Sequence, residues 1–303
     1  MKIQTTVNIG KLELKNPVLV ASGTFGYAQE FSPYMDLKEL GGIITKTITL
    51  DAKSGNPAPR IAETASGMLN AIGLQNEGIA KFLKDKMPYL RKIKVPVIVS
   101  IGGDTGEEYV KLARILEKTK GVAALELNIS CPNVKGKECL VSQDKEATYQ
   151  LVKQVRSSTD KTIITKLSPN VTDIVEIARA AKAAGSDAVS LVNTFVGMSI
   201  NVRTRAPVLG NITGGLSGPA IKPIALRMVW QVAKDIDIPV IGMGGIMTAD
   251  DAVEFLIAGA SAICVGTANL VNPAAADDIL AGLKQYLIQN KLKNIKHLIG
   301  SLQ

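Results

Sequence analysis

Val122-Ala123-Ala124-Leu125-Glu126-Leu127-Asn128-Ile129-Ser130-Cys131-Pro132-Asn133 sets a short apolar run against a polar, proline-pinned segment. The run reads as a buried parallel strand whose C-terminal end opens onto solvent or a ligand. Pro132 lacks a backbone donor and fixes its own φ, which turns the chain away from a continued strand. Cys131 is thereby presented at a strand end. A lone free cysteine is more often a small core hydrophobe, but Asn128, Ser130 and Asn133 flank this thiol, where a core cysteine would have apolar neighbours.

Runs of the same kind recur at 18–21, 42–46, 97–101, 123–128, 162–167, 188–192, 239–243 and 262–266, each giving way to Gly, Ser, Asn or Lys. Between them, residues 107–118, 145–157, 173–184, 221–233, 249–258 and 275–289 carry apolar side chains at helical spacing. Strand and helix alternating in this way point to a parallel (β/α)8 TIM barrel and away from an open doubly wound sheet. With 303 residues, the chain suits one such barrel of about 250 residues with inserted loops at the C-terminal face of the strands. The expectation is a single domain, 1–303, in which 291–303 is a polar, solvated C-terminal tail.

Barrel active sites form at the C-terminal ends of the strands, so the residues standing there matter most. They are Ser22-Gly23-Thr24, Lys46-Thr47, Asn128 with Cys131, Lys166, Asn193-Thr194, Gly242-Met243-Gly244-Gly245 and Gly266-Thr267. Glycines let backbone N–H groups approach an anion, and barrels commonly bind phosphate after their last two strands. Lys46 and Lys166 each close an otherwise apolar strand. Two cations converging on the mouth suit a ligand that gains negative charge, such as a reduced flavin or an enolate. An alternative use of Lys166 is a Schiff base in a phosphate-binding aldolase-type barrel. The long connections 47–76 and 193–217 read as lids or ligand-binding segments, and 134–142 as a lid over Cys131.

Composition narrows the chemistry further. The chain is 46% hydrophobic and 20% charged with a net charge of +8, yet aromatics are only 4%. No nucleic-acid motif accompanies that charge, so small anionic ligands explain it better. Cys131, Cys139 and Cys264 are an odd set without metal-ligand spacing, which argues for a reducing compartment and no metal site. They also cannot supply the thiolates of a [2Fe–2S] cluster. His297, the only histidine, lies in the tail, leaving a Ser-His-Asp or Cys-His arrangement in the barrel without a base. No G-x-G-x-x-G opens a helix after a strand. The N-terminus lacks a signal-peptide core and nowhere do about 18 apolar residues run together, so the expectation is a cytoplasmic protein without membrane association.

Taken together, 21–26 (ASGTFG), 55–57 (GNP), 70–76 (NAIGLQN), 128–133 (NISCPN), 166–169 (KLSP), 214–218 (GGLSG) and 242–245 (GMGG) resemble the class 1 dihydroorotate dehydrogenases. The wording of 22–26, 68–73 and Gly197-Met198 is most similar to the catalytic subunit of the NAD-linked class 1B type. The resemblance implies an FMN-containing barrel, one FMN per chain, that oxidises dihydroorotate to orotate in pyrimidine synthesis. It makes Cys131 the base that removes the C5 proton while the C6 hydride passes to the flavin. It gives the pyrimidine to Lys46, Asn70, Ala71, Ile72, Gly73, Leu74, Asn128, Asn133, Asn193 and Thr194. It gives the flavin to Ser22, Lys46, Thr47, Asn128, Lys166, Val192 and Gly218, with the phosphate on Gly244, Gly245, Gly266 and Thr267. Relatives often carry an asparagine near the flavin where this chain has Ser100, a shorter side chain without an amide fork. Finally, the resemblance implies a catalytic homodimer within a heterotetramer, its partner subunit carrying FAD and a [2Fe–2S] cluster and passing electrons to NAD⁺. The alternative within the family is a class 1A-type enzyme using fumarate.

Overall fold

The computed structural model describes residues 3–129 and 141–303. Cys131, Asn133, Cys139 and most of the expected lid lie outside the described residues. The chain opens with a hairpin, β1 (Val7–Ile9) and β2 (Leu12–Leu14). Gly10 turns it with φ +57, and a Cβ there would meet Cβ of Asp187 at 2.7 Å. Asp187 precedes a barrel strand, so the hairpin sits at the N-terminal end of the barrel, opposite the mouth.

The strands that follow are β3 (Val18–Val20), β4 (Gly42–Ile44), β5 (Ile61–Thr64), β6 (Gly67–Asn70), β7 (Val97–Ile101), β8 (Val122–Asn128), β9 (Thr162–Lys166) and β10 (Ala188–Leu191). After them come β11 (Phe195–Met198), β12 (Ile200–Asn201), β13 (Ala206–Pro207), β14 (Thr213–Ser217), β15 (Val240–Met243) and β16 (Ala262–Val265). Of these, β3, β4, β7, β8, β9, β10, β15 and β16 pair in parallel in that order, and β16 returns to β3 to close a barrel. The runs expected from the sequence are these strands. Their side chains are buried almost throughout, which is why they read as continuous apolar segments rather than alternating ones.

The helices are α1 (Gly78–Lys81), α2 (Met87–Ile93), α3 (Gly106–Glu117), α4 (Lys145–Arg156), α5 (Ile174–Ala183), α6 (Lys222–Asp235), α7 (Ala249–Ile257), α8 (Ala268–Val271) and α9 (Ala275–Gln289). In α3, Tyr109, Leu112, Ala113 and Leu116 form the buried stripe, and the Thr105 side chain accepts from the Glu108 N–H at its start. Asp144, Asp173 and Thr248 cap α4, α5 and α7 in the same way. Each such cap contributes about 1 kcal/mol by satisfying an otherwise orphaned donor. A π turn, Phe82–Lys86, joins α1 to α2. Pro88 lies in the first turn of α2 and cannot donate backward, which accounts for the widened ladder just before it.

Two readings change. The long connections hold strands of their own: β5 and β6 from one, β11 and β14 from the other, forming an antiparallel sheet in the order β11-β14-β6-β5. The C-terminal segment is more than a solvated tail. Gln4 exchanges backbone hydrogen bonds of 2.9 Å with Lys293 and Ile295, and Ile295 and Leu298 are buried. The lysines that made it look solvated stay exposed while the apolar residues between them turn inward. Among the described residues no helix is long and apolar enough to cross a membrane.

Candidate active site

Strand ends and inserted sheet line one cavity that is partly open to solvent. Its first side is made by the turns after β15 and β16. Gly244 and Gly245 take φ of +121 and +78, and a Cβ on Gly245 would lie 2.7 Å from Cβ of Lys222. Only glycine fits that backbone. Among the described residues, the N–H groups of Gly244, Gly245, Gly266 and Thr267 donate to no backbone acceptor. Four unspent donors on one wall form a cradle for an anion. Gly266 leaves room beside them, since a Cβ there would find nothing nearer than 3.7 Å. Thr267 donates its hydroxyl to Ser217 at 2.8 Å, and Gly218 stands next to that pair.

The floor is polar and basic. Asn128 donates to the Thr47 hydroxyl at 3.1 Å, and Thr47 shares a 3.0 Å hydrogen bond with Ser100. Ser100 is fully buried behind Thr47 and is not part of the cavity wall. It positions Thr47, a role in which a short hydroxyl suffices. Lys166 ends β9 beside Asn128 of β8, and both line the cavity. Lys46 is held by its N–H on the Gly26 carbonyl at 2.8 Å. Burial, and secondarily the charge of Arg60, lower the Lys46 pKa below the ordinary lysine value. Arg60 is itself anchored on Gln75 at 2.7 Å and on the Ser54 carbonyl at 3.0 Å. Ser22 and Val192 complete this region.

The opposite side is the inserted sheet and the segment after it. Asn70 pairs with Gly215 in the sheet, and its amide donates to the Gly215 carbonyl at 3.2 Å. Ile72, Gly73 and Leu74 continue along the wall, held from behind by Asn76, which bonds Thr49, Leu74 and Gly78. Ala71 faces the other way, into a small cluster with Leu69 and Leu209. Asn193 accepts from the Thr194 N–H at 2.9 Å, and both residues line the cavity. Sequence reasoning missed Ile61, Met68 and Leu270 on the wall, and gave Cys264 no place in the site. Cys264 is 1% exposed yet forms part of the floor. Burial pushes its thiol far up, so it stays neutral. No local signal marked Ile61 and Met68, because β5 and β6 reach the mouth only through sheet pairing.

The family model described as dihydroorotate dehydrogenase matches residues 4–287. The chain belongs to the dihydroorotate dehydrogenase family. A relative from Geotalea uraniireducens is 55% identical over 301 residues, covering 99% of each chain. Others from Trichlorobacter lovleyi and Pelobacter propionicus are 54% and 52% identical over 303 residues, covering all of both chains. All three carry the name dihydroorotate dehydrogenase B (NAD(+)), catalytic subunit. For a dihydroorotate dehydrogenase family member the division of this cavity is chemically sensible: a donor cradle for a phosphate on one side, side-chain amides for a ring of amides on the other.

Proposed function

We propose that this chain oxidises dihydroorotate to orotate with bound FMN and hands the electrons to a partner subunit that reduces NAD⁺. The observation that carries the reading is the set of unspent N–H groups on Gly244, Gly245, Gly266 and Thr267, sharing one cavity with Lys46 and Lys166. Gly244, Gly245, Gly266 and Thr267 would hold the FMN phosphate. Ser22, Thr47, Lys166, Val192 and Gly218 would line its ring system, with Ser100 fixing Thr47 from behind. When bound there, FMN supplies the two-electron acceptor for the hydride that leaves C6.

Asn70, Asn128, Asn193 and Thr194 would orient the pyrimidine, because amides and hydroxyls pair with both its donors and its acceptors. Lys46, which lines the same cavity, would offset the substrate carboxylate. Asn133 and Cys131 belong to the same set by sequence position. As thiolate, Cys131 takes the C5 proton; a free thiol has a pKa of about 8.5, so turnover rises toward alkaline pH. The relatives' printed names, catalytic subunit and NAD(+), support an electron-transfer partner. We assign FAD and a [2Fe–2S] cluster to that partner, around a homodimer of single-domain catalytic chains in the cytoplasm.

Anaerobic reduction by dihydroorotate, followed by separate acceptors, tests the proposal. Dihydroorotate bleaches the flavin, and NAD⁺ restores its colour quickly only with the partner subunit present. Rapid reoxidation by fumarate would place the electron exit in this cavity, and rapid reoxidation by NAD⁺ alone would eliminate the need for a partner.

A further inference from the structure

Beneath the floor of the cavity lies a buried carboxylate. Glu126 precedes Asn128 by two positions on β8, so both side chains face the barrel interior. Glu126 is 0% exposed. Its Oε2 accepts from the Ser190 hydroxyl of β10 at 3.2 Å, while its Oε1 is buried without a hydrogen-bond partner among the described residues. Cys264 of β16 belongs to the same group, feeling the charges of both Glu126 and Lys166. The strands β8, β10 and β16 are not neighbours around the barrel, so their side chains meet only inside it, as alternate strands do when they build an interior layer.

Lys166 stands directly above. It is the register partner of Asn128 on one side and of Ser190 on the other, and is 6% exposed. No ion pair or side-chain hydrogen bond is formed by its ammonium among the described residues. A fully buried carboxyl and an ammonium that lines the cavity thus occupy successive interior layers of neighbouring strands with no hydrogen bond between them. An isolated buried charge costs several kcal/mol, so each supports the other across that space.

We propose that Glu126 is a positioning residue whose carboxylate is the counter-charge of Lys166, holding the ammonium at the cavity floor with its N–H donors unspent and facing the ligand. A direct salt bridge would consume those donors. The layered arrangement compensates the charge and leaves them available to the electron-rich edge of a bound ring. Its relevance to the flavin rests on the reading given under Proposed function; the charge pair itself does not.

A double-mutant cycle tests this with Glu126→Gln, Lys166→Met and the pair. In thermal melts of the full flavin-free chain, each single variant loses roughly 5–10 °C, and the pair regains most of that loss. In FMN titrations, Glu126→Gln weakens binding about tenfold beside Lys166 and changes nothing in the Lys166→Met background. Additive melting losses, or an equal loss of FMN affinity in both backgrounds, would overturn the proposal. Should a single variant fail to fold, a pair that folds near the wild-type midpoint upholds it and a pair that also fails overturns it. A wild-type chain that binds no FMN would defeat the flavin reading, and the melting cycle would still decide the charge pair.

Discussion

The two sides of the cavity are built on different principles. At the glycine side, each donor is set by a turn of a few residues, and at Gly244 and Gly245 the backbone angles are ones only glycine tolerates. At the sheet side, Asn70 reaches its place by pairing with Gly215, 145 residues away. The first wall is anchored to barrel strands that close on themselves; the second rests on a sheet with its own small cluster of Leu69, Ala71 and Leu209. A wall with few buried apolar contacts opens at lower free energy than the barrel. The anion cradle is therefore the stiff half of the site, and the amide wall is the half that can yield to admit and release substrate.

Separating the two walls by mutation is the way to break this comparison. Gly245→Val should have the largest effect, because a branched side chain at φ +78 collides with Lys222. FMN affinity falls at least ~100-fold, measured by flavin fluorescence quenching, with a loss of roughly 2 kcal/mol in stability. Asn70→Ala should raise KM for dihydroorotate by ~10-fold or more while FMN affinity is unchanged. Equal losses of both ligands would mean that the walls do not divide the work. Leu209→Ala removes a buried side chain from the small cluster. It should raise hydrogen exchange in β6 and β14 and shift KM a few-fold, with the barrel strands still protected.

Lys46 supplies the smallest effect and a sign that can be checked. Its folded-state pKa lies below the ordinary value of 10.5, so in the window between those two values the unfolded chain binds more protons. Stability of the flavin-free chain should then rise with pH through that window. Lys46→Met should abolish this slope and raise the neutral-pH midpoint by about 2 °C, even as ligand binding is lost. A lower midpoint in chemical or thermal melts would show that the ammonium is compensated within the fold.

The barrel was legible because its strands are short and almost fully buried, a pattern carried by each segment alone. The glycine cradle was legible for the same reason, since Gly244 and Gly245 advertise their turn locally. The sheet was not, because residues 61–70 become a wall only on meeting 213–217, and neither segment has the alternation of an isolated strand. Ser100 and Ala71 illustrate a finer limit: position in a motif does not say whether a side chain faces the ligand or braces the residue that does. The C-terminal segment misled because exposed lysines outnumber the two buried residues that anchor it.

The most direct test of the division between cofactor wall and substrate wall is a titration of orotate into the FMN-loaded chain, followed by the flavin difference spectrum. Wild-type protein should give a saturable perturbation at one orotate per FMN. Asn70→Ala should bind FMN normally and require much more orotate for the same change. An unperturbed flavin spectrum at saturating orotate, or an Asn70→Ala titration indistinguishable from wild type, would contradict the placement of the two ligands on opposite walls of one cavity.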